Sequence, residues 1–223
     1  MTCWIFANGE LTNPDALRPL FRRWDTFYAV DGGLKYLKVL GIVPHLVIGD
    51  LDSANPQDLE WAQDHGAVFH RYSLKKDETD LEEAIFTAAA AGHCVIRIAG
   101  AGGGRIDHAL GNLFLLQNPN WDGLDLRFED GIMEIYLTRA SATIDGQPGD
   151  IVSLLPLGGN AEEVATSNLQ YPLRSETLYA YGTRGISNVM VAQEATVTLA
   201  KGTLIVVHLR SLESLYLLEG DSL

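Results

Sequence analysis

The sequence predicts an α/β protein: an N-terminal doubly wound, mostly parallel sheet with helices on both faces, followed by a C-terminal antiparallel β-sandwich. Up to about residue 130, short apolar runs of β-forming residues alternate with helical patterns, which is typical of a parallel sheet. After about residue 138, short strand-like runs are separated by Gly, Pro, Asn and Asp. These observations predict two domains, residues 1–138 and 139–223.

The elements of the first domain follow from the spacing of its apolar residues. Short apolar, β-prone runs predict strands at 4–7, 26–30, 46–48, 68–72, 95–99 and 124–128. Apolar residues recurring at helical spacing, as Ile106, Leu110, Leu113 and Phe114 do, indicate amphipathic helices. The predicted helices cover 14–23, 34–40, 56–65, 80–91 and 108–117. Strands that alternate with helices in this way indicate parallel pairing.

The second domain shows strand-like runs only. Strands are predicted at 151–155, 178–181, 189–192, 195–199 and 204–209, and no helix is predicted among them. Short strands with turn residues at this spacing are typical of a small antiparallel sandwich.

Composition and charge limit the possible classes of protein. Of the 223 residues, 47% are hydrophobic and 20% are charged, which excludes disordered, collagen-like, coiled-coil and disulfide-scaffold classes. The net charge of −13 opposes attraction to phosphate backbones and anionic lipids. We therefore expect no nucleic-acid or membrane partner, and an anionic substrate would need help from metal ions.

Cysteine usage and the first residues of the chain bear on location. Cys3 and Cys94 are far apart in sequence, which is typical of buried thiols in a reducing compartment. The segment MTCWIFANGELTN lacks the basic and apolar regions of a signal peptide, and no stretch approaches the ~18 apolar residues of a membrane span. We therefore expect a cytoplasmic protein.

Carboxylates recur where a predicted strand has ended and a helix is about to begin. These residues are Asp31 in DGG, Asp50 and Asp52 in GDLDS, Asp77 and Asp80 in KKDETD, and Asp107 in GGGRIDH. The carboxyl ends of parallel strands open onto one edge of the sheet, where ligands bind. All six carboxylates are therefore expected to share one rim.

Helix capping is the alternative explanation for each of these residues. Thr79 with Glu82 fits a capping box, Asp107 fits a helix cap, and Asn55 before Pro56 is an ordinary helix start. However, two carboxylates ~4 Å apart repel by roughly 4 kcal/mol at an effective dielectric near 20, whereas a cap contributes only ~1 kcal/mol. A cluster therefore favours a Mg²⁺ ion that also holds substrate phosphates.

A glycine-rich segment, residues 100–104, precedes Arg105 and supports a phosphate site. Backbone without side chains can approach phosphate oxygens closely, and a guanidinium can bind them in a bidentate manner. The segment lacks both the Gly-Lys-Ser/Thr ending of a P-loop and the last glycine of a dinucleotide fingerprint. The alternative is that residues 100–104 are only a flexible connection between a strand and a helix. His108 adjoins Asp107 and is either a site residue or part of the helix start.

The strings GDLDS, DETDLEEA and GGGRIDHALGNLFLL resemble the motif set of the thiamin pyrophosphokinase family, in matching order. The resemblance extends to DGG at 31–33, GDIVSLLPL at 149–157, NLQYPL at 168–173 and GISN at 185–188. It implies an α/β catalytic domain, a β-sandwich that binds thiamin, and a homodimer with sites between catalytic domain and partner sandwich. The implied reaction converts ATP and thiamin to AMP and thiamin diphosphate.

The resemblance also implies roles for individual residues. Those expected to bind Mg²⁺ or orient the reacting groups are Asp50, Asp52, Asp77, Asp80 and Asp107. Those expected near the nucleotide are Asp31, Ser53, Thr79, Arg105 and His108, with Thr79 and Arg105 on the triphosphate and Ser53 shaping its loop. Those expected near thiamin are Ser167, Tyr171, Ser187 and Asn188.

The residues expected to contact thiamin also have an alternative explanation, in which they only shape turns. Asn168 stands where the family motif has Gly, and Tyr171 where some relatives have Trp, although a phenol can still stack on an aromatic ring. Pro172, Gly185 and Asn188 are also ordinary turn residues.

Two other functions remain open at this stage. The acidic rim would equally suit another Mg²⁺-dependent phosphotransferase acting on a different alcohol or a nucleotide. A thiamin or nucleotide sensor that binds without turnover would retain the fold, and it would release no AMP.

Overall fold

The computed structural model describes residues 1–71 and 78–211, and the chain forms two compact units, Met1–Asp130 and Gly131–Leu223. The strands of the first unit are β1 (Cys3–Phe6), β2 (Thr26–Val30), β3 (Leu46–Gly49), β4 (Val68–Arg71), β5 (Val95–Ala99) and β6 (Asp125–Glu129). Its α-helices are α1 (Leu34–Leu40), α2 (Pro56–Asp64), α3 (Asp80–Ala90) and α4 (Ile106–Leu115).

The first unit contains the predicted parallel sheet. Its strand order is β6-β5-β1-β2-β3-β4, and each neighbouring pair is parallel. The chain runs outward from β1 to β4 and then returns to β5 on the other side of β1. Because crossovers between parallel strands are right-handed, this reversal places helices on both faces of the sheet. The doubly wound prediction is confirmed.

Burial on both faces explains why the central strands are apolar throughout. All four residues of β1 are buried, and Phe6 and Val47 pack in one core with Leu37 of α1. A strand covered on both sides has no polar face, so it appears in the sequence as a continuous apolar run.

Two predicted details of this unit differ in the structure. Residues 14–23 form a short 3-10 helix over Pro14–Leu20, because Pro19 has no N–H and its ring obstructs the carbonyl of the preceding turn. Cys3 is buried, and burial raises its pKa to about 12, but Cys94 is exposed where the chain leaves the turn at Gly92 to enter β5. The expectation of two buried thiols was therefore wrong for Cys94.

The second unit consists of strands in the described residues 131–211. They are β7 (Met133–Thr138), β8 (Ser141–Asp145), β9 (Ile151–Pro156), β10 (Ala161–Ser167), β11 (Glu176–Leu178), β12 (Asn188–Val189), β13 (Glu194–Thr198) and β14 (Leu204–Leu209). Antiparallel pairing gives the orders β12-β9-β14-β7 and β11-β10-β13-β8. Side chains of both sheets, including Leu154 and Val197, share one buried core. The predicted sandwich is confirmed.

No helix within residues 1–71 and 78–211 combines the length and apolar character needed to span a membrane.

Candidate active site

Three aspartates from different parts of the sequence meet beyond the carboxyl ends of β2 and β3. Asp31 directly follows β2, Asp50 directly follows β3, and Asp80 begins α3. Each is half-buried, and each offers a carboxylate oxygen within 4.8 Å of the others. The structure therefore brings together three of the six carboxylates that were expected at this rim.

The loop after β3 folds tightly against Asp31. The Leu51 N–H donates to Asp31 Oδ1 at 3.1 Å, and Leu51 itself has a φ of 65°. Gly49 has a φ of 138°, and a Cβ at this position would overlap the Asp31 carboxylate. Strained backbone of this kind is often found at functional sites. The glycine of the GDLDS motif is thus needed for the Asp31 carboxylate to lie against the backbone that carries Asp50.

The electrostatics of the cluster are unfavourable without a cation. Burial, together with the charges of Asp80 and Asp50, raises the pKa of Asp31 to about 7, although the Leu51 N–H opposes this. The charge of Asp50 also raises the pKa of Asp52, which is exposed and whose N–H donates to Asp50 Oδ1 at 3.0 Å. An oxygen-only donor set with excess negative charge fits a hard divalent cation such as Mg²⁺.

A chain of polar side chains extends this rim toward β1. Ser53 Oγ accepts from Asn8 Nδ2 at 3.1 Å and from the Gly32 N–H at 3.4 Å, so it links the loop after β3 to residues that follow β1 and β2. Lys35 Nζ donates to Asn8 Oδ1 at 3.0 Å. Sequence reasoning missed Asn8 and Lys35. The signal available was that Asn8 follows β1 and therefore lies at the same sheet edge.

The glycine-rich segment packs against the loop after β1. The Gly9 N–H donates to Gly100 O at 2.7 Å, and the Glu10 N–H donates to Gly102 O at 2.7 Å. A Cβ on Gly9 or Gly100 would clash with backbone atoms, whereas one on Gly102 would meet open space. Gly9 and Gly100 are therefore needed for the two loops to pack closely, whereas the backbone at Gly102 is accessible to a ligand.

Arg105 and Asp107 form an exposed ion pair at the start of α4. Arg105 Nη2 lies 2.6 Å from Asp107 Oδ2, and this hydrogen bond, aided by the His108 N–H, lowers the pKa of Asp107 to about 2. The helix cap is Arg105 rather than Asp107, which corrects the alternative capping role. Asp107 does not belong to the group of three carboxylates. An exposed pair contributes little to stability, so a phosphate can replace Asp107 as the partner of Arg105.

The remaining nucleotide-site candidates have these positions. Thr79 Oγ1 accepts from the Glu82 N–H at 3.2 Å and caps α3, as the capping box predicted, and His108 is exposed in the first turn of α4. Asp77 lies outside the described residues.

The thiamin-site candidates all belong to the second unit. Tyr171 is 55% exposed, and Ser187 is exposed with a φ of 57°. Asn188 is buried and hydrogen-bonds the backbone of Tyr171, so the structure brings residues 171, 187 and 188 together. Ser167 Oγ instead lies 2.6 Å from Thr196 Oγ1 of the neighbouring strand β13.

Comparison with known proteins gives a consistent result for both units. The family model described as thiamin pyrophosphokinase, catalytic domain, matches residues 17–127, and that of the vitamin B1 binding domain matches residues 141–204. A thiamine pyrophosphokinase of Bacillus subtilis (strain 168) is 30% identical over 181 residues, which cover 80% of this chain and 85% of the relative.

Solved structures show the same fold. The crystal structure of thiamine pyrophosphokinase from Bacillus subtilis superposes with a TM-score of 0.86 at 26% identity, covering 95% of this chain and 100% of that one. The crystal structure of yeast thiamin pyrophosphokinase has a TM-score of 0.78 at 17% identity, covering 98% of this chain and 88% of that one, which shows the fold alone.

Proposed function

Since this chain belongs to the thiamin pyrophosphokinase family, we propose that it transfers a diphosphate group from ATP to the hydroxyl group of thiamin, giving thiamin diphosphate and AMP. The observation that carries the proposal is the meeting of Asp31, Asp50 and Asp80 at the carboxyl edge of the parallel sheet. We assign the catalytic role to residues 1–138 and thiamin binding to residues 139–223.

The acidic rim is the proposed Mg²⁺ site. Asp31, Asp50 and Asp80 would hold the ion, with Asp52 beside them, and Asp77 and Asp107 are further candidates from the family motifs. When bound, Mg²⁺ neutralises phosphate charge and favours a reactive geometry at phosphorus. The raised pKa of Asp31 supports this role, because burial and the neighbouring negative charges make this carboxyl hold its proton, and a bound cation would favour its charged form instead.

Around this cluster, the cationic and polar side chains would bind the triphosphate. Arg105 offers a planar guanidinium that exchanges Asp107 for phosphate oxygens, and Thr79 and His108 lie at the starts of α3 and α4. Positioning and charge stabilisation carry most of phosphoryl transfer, so a strong base is unnecessary. The lowered pKa of Asp107 makes it a weak base and favours an orienting role.

Thiamin would be recognised by the second unit. The exposed ring of Tyr171 offers a face for stacking, Ser167 and Ser187 offer hydroxyl groups, and Asn188 of the family motif hydrogen-bonds the backbone of Tyr171.

The products provide the direct test of this function. In a single-turnover reaction with ATP, thiamin and Mg²⁺, we expect AMP and thiamin diphosphate, separated by chromatography. ADP with thiamin monophosphate would reject diphosphate transfer. Turnover of another alcohol but not thiamin would indicate the rival phosphotransferase, and binding without AMP release would indicate a sensor.

We also propose a homodimer with sites shared between subunits, which the resemblance of the motifs implies. Phe86 of α3 and Ile106, Leu110 and Phe114 of α4 are between 44% and 71% exposed, which is apolar surface that a partner subunit could cover. Sedimentation should give about twice the chain mass of 24.4 kDa. A fully active monomer at assay concentration would contradict this proposal.

Complementation would test the shared site itself. Neither an Asp50→Asn chain nor a Tyr171→Ala chain should be fully active alone, and mixing them should restore part of the activity if each site uses both subunits.

We further propose that the protein works in the cytoplasm, which the free thiols of Cys3 and Cys94 support.

A further inference from the structure

Asn188 is the one thiamin-site candidate whose side chain is directed into the protein. It begins strand β12, pairs with Val152 of β9, and is 6% exposed. Its neighbour Ser187 is exposed, with its N–H held by Ser153 Oγ at 2.9 Å. Adjacent residues of this motif therefore have different surroundings, and Ser187 is the better placed for direct contact with a ligand.

The amide of Asn188 is engaged at both ends by one peptide segment. Its Oδ1 accepts from the Tyr171 N–H at 2.9 Å and from the Val189 N–H at 3.0 Å, while its Nδ2 donates to Tyr171 O at 2.7 Å. The carbonyl and the N–H of Tyr171 fix the orientation of this amide, since only its nitrogen can donate. The side chain thus binds backbone as another peptide group would.

This pair of bonds continues a ladder between two segments of the chain. The Val191 N–H donates to Asn168 O at 3.0 Å, and the Gln170 N–H donates to Val189 O at 2.8 Å. Beyond Val189 the backbone pairing ends, and Asn188 holds the next residue, Tyr171, through its side chain. Pro172 follows and has no N–H to extend the ladder.

We propose that Asn188 is a positioning residue for Tyr171: it fixes the Tyr171 backbone so that the exposed ring is already in place to stack on the substrate ring. This inference rests on the proposed function. A ring on an unrestrained loop would lose conformational freedom at each binding event, and a restraint made in the free protein reduces that loss. Asn188 therefore acts on thiamin affinity through Tyr171 and not by direct contact.

The test is a double-mutant cycle read out as the KM for thiamin, the KM for ATP and kcat. The variants are Asn188→Ala, Tyr171→Ala and the double variant, each checked for folding by thermal unfolding. The matched control is Asn160→Ala, because Asn160 Oδ1 accepts from the Ala180 N–H at 3.1 Å and so restrains a loop of the same unit that carries no predicted substrate residue. Asn188→Asp retains the accepting oxygen and serves if the alanine variant does not fold.

We expect each single variant to raise the KM for thiamin by about tenfold, with the KM for ATP and kcat little changed. The double variant should be no worse than Tyr171→Ala, because both changes remove the same stacking contact. Asn188→Asp should also raise the KM for thiamin, because its carboxylate cannot donate to Tyr171 O, and Asn160→Ala should leave the KM for thiamin unchanged.

Other outcomes would overturn the inference. An unchanged KM for thiamin in a folded Asn188 variant would contradict it. A KM for thiamin in the double variant that is raised by the product of the two single effects would also contradict it. An unchanged KM in Tyr171→Ala, with normal turnover of the unaltered protein, would reject the positioning role while the proposed function stands. Absence of thiamin diphosphate from the unaltered protein would instead reject the proposed function.

Discussion

Replacing Asp50 with asparagine should lower the rate of thiamin diphosphate formation by roughly a hundredfold to a thousandfold, the range seen when one electrostatic stabiliser is removed from an active site. The same change should not destabilise the metal-free protein. Asp50 shares the rim with Asp31 and Asp80, and its charge raises the pKa of both Asp31 and Asp52. Removing this charge relieves repulsion in the folded state.

Two measurements separate a metal ligand from a structural residue. Initial rates at saturating Mg²⁺ report activity, and thermal unfolding with and without Mg²⁺ reports binding, because a ligand that binds only the folded state raises the unfolding temperature. Mg²⁺ should stabilise the unaltered protein and should have little effect on Asp50→Asn.

Asp64→Asn is the matched control for this prediction. Asp64 is exposed at the last turn of α2, the end of that helix away from the rim. It should behave as the unaltered protein in both measurements. Wild-type turnover by Asp50→Asn, or by protein treated with EDTA, would show that the metal hypothesis is wrong.

The convergence of carboxylates was predictable because it depends on topology. In a parallel sheet, any residue directly after a strand lies at the same edge, so Asp31 and Asp50 could be placed together from the sequence. The pairing of Asp107 with Arg105, outside the group of three aspartates, was not predictable, because the motif spacing does not specify side-chain partners. Asn8 was missed because its role arises from contact with Ser53, which is distant in sequence.

The fold was predictable to different degrees in its two units. Strands buried on both faces, such as β1, appear as apolar runs in the sequence. Strands β8 (SATID) and β10 (AEEVATS) bury few side chains and carry polar residues, so their local pattern does not predict them. Their pairing with β13 is decided by tertiary contacts that a local pattern does not contain.

A buried charge cluster in the second unit carries the other large expected effect. His208 of β14 is fully buried, with Nδ1 3.0 Å from Glu134 Oε1 and Nε2 2.9 Å from Asp150 Oδ2. Arg210 Nη2 lies 4.0 Å from Glu134 Oε2. An ionised carboxylate only accepts hydrogen bonds, so the protonated imidazole, whose two ring nitrogens both donate, is the form that satisfies both partners.

The pKa of His208 is raised by this arrangement. Burial is the largest single influence and lowers the pKa, but the hydrogen bonds to Glu134 and Asp150 together outweigh it, while Arg210 also opposes them. A histidine with a raised pKa contributes stability that is fully present below its unfolded pKa near 6.5 and is lost as the pH rises through the folded value. The free energy of unfolding should therefore fall on the alkaline side.

His208→Gln should lower the free energy of unfolding by about 3–5 kcal/mol near pH 6, because it removes the positive charge that lies between two buried carboxylates. His65→Gln is the control: His65 is exposed at the end of α2, and its replacement should change stability by less than about 0.5 kcal/mol. Urea unfolding at a series of pH values from 6 to 9 measures both variants.

The quantity to compare is the difference in unfolding free energy between the unaltered protein and His208→Gln at each pH. Asp31, with a pKa of about 7, also makes stability fall as the pH rises, but it does so equally in both proteins and cancels in the difference. The difference should be largest near pH 6 and should shrink as His208 loses its proton. A difference that stays constant from pH 6 to 9 would mean that the His208 imidazole does not titrate in this range. Equal stability of the two proteins would mean that the charged imidazole does not stabilise the buried Glu134 and Asp150.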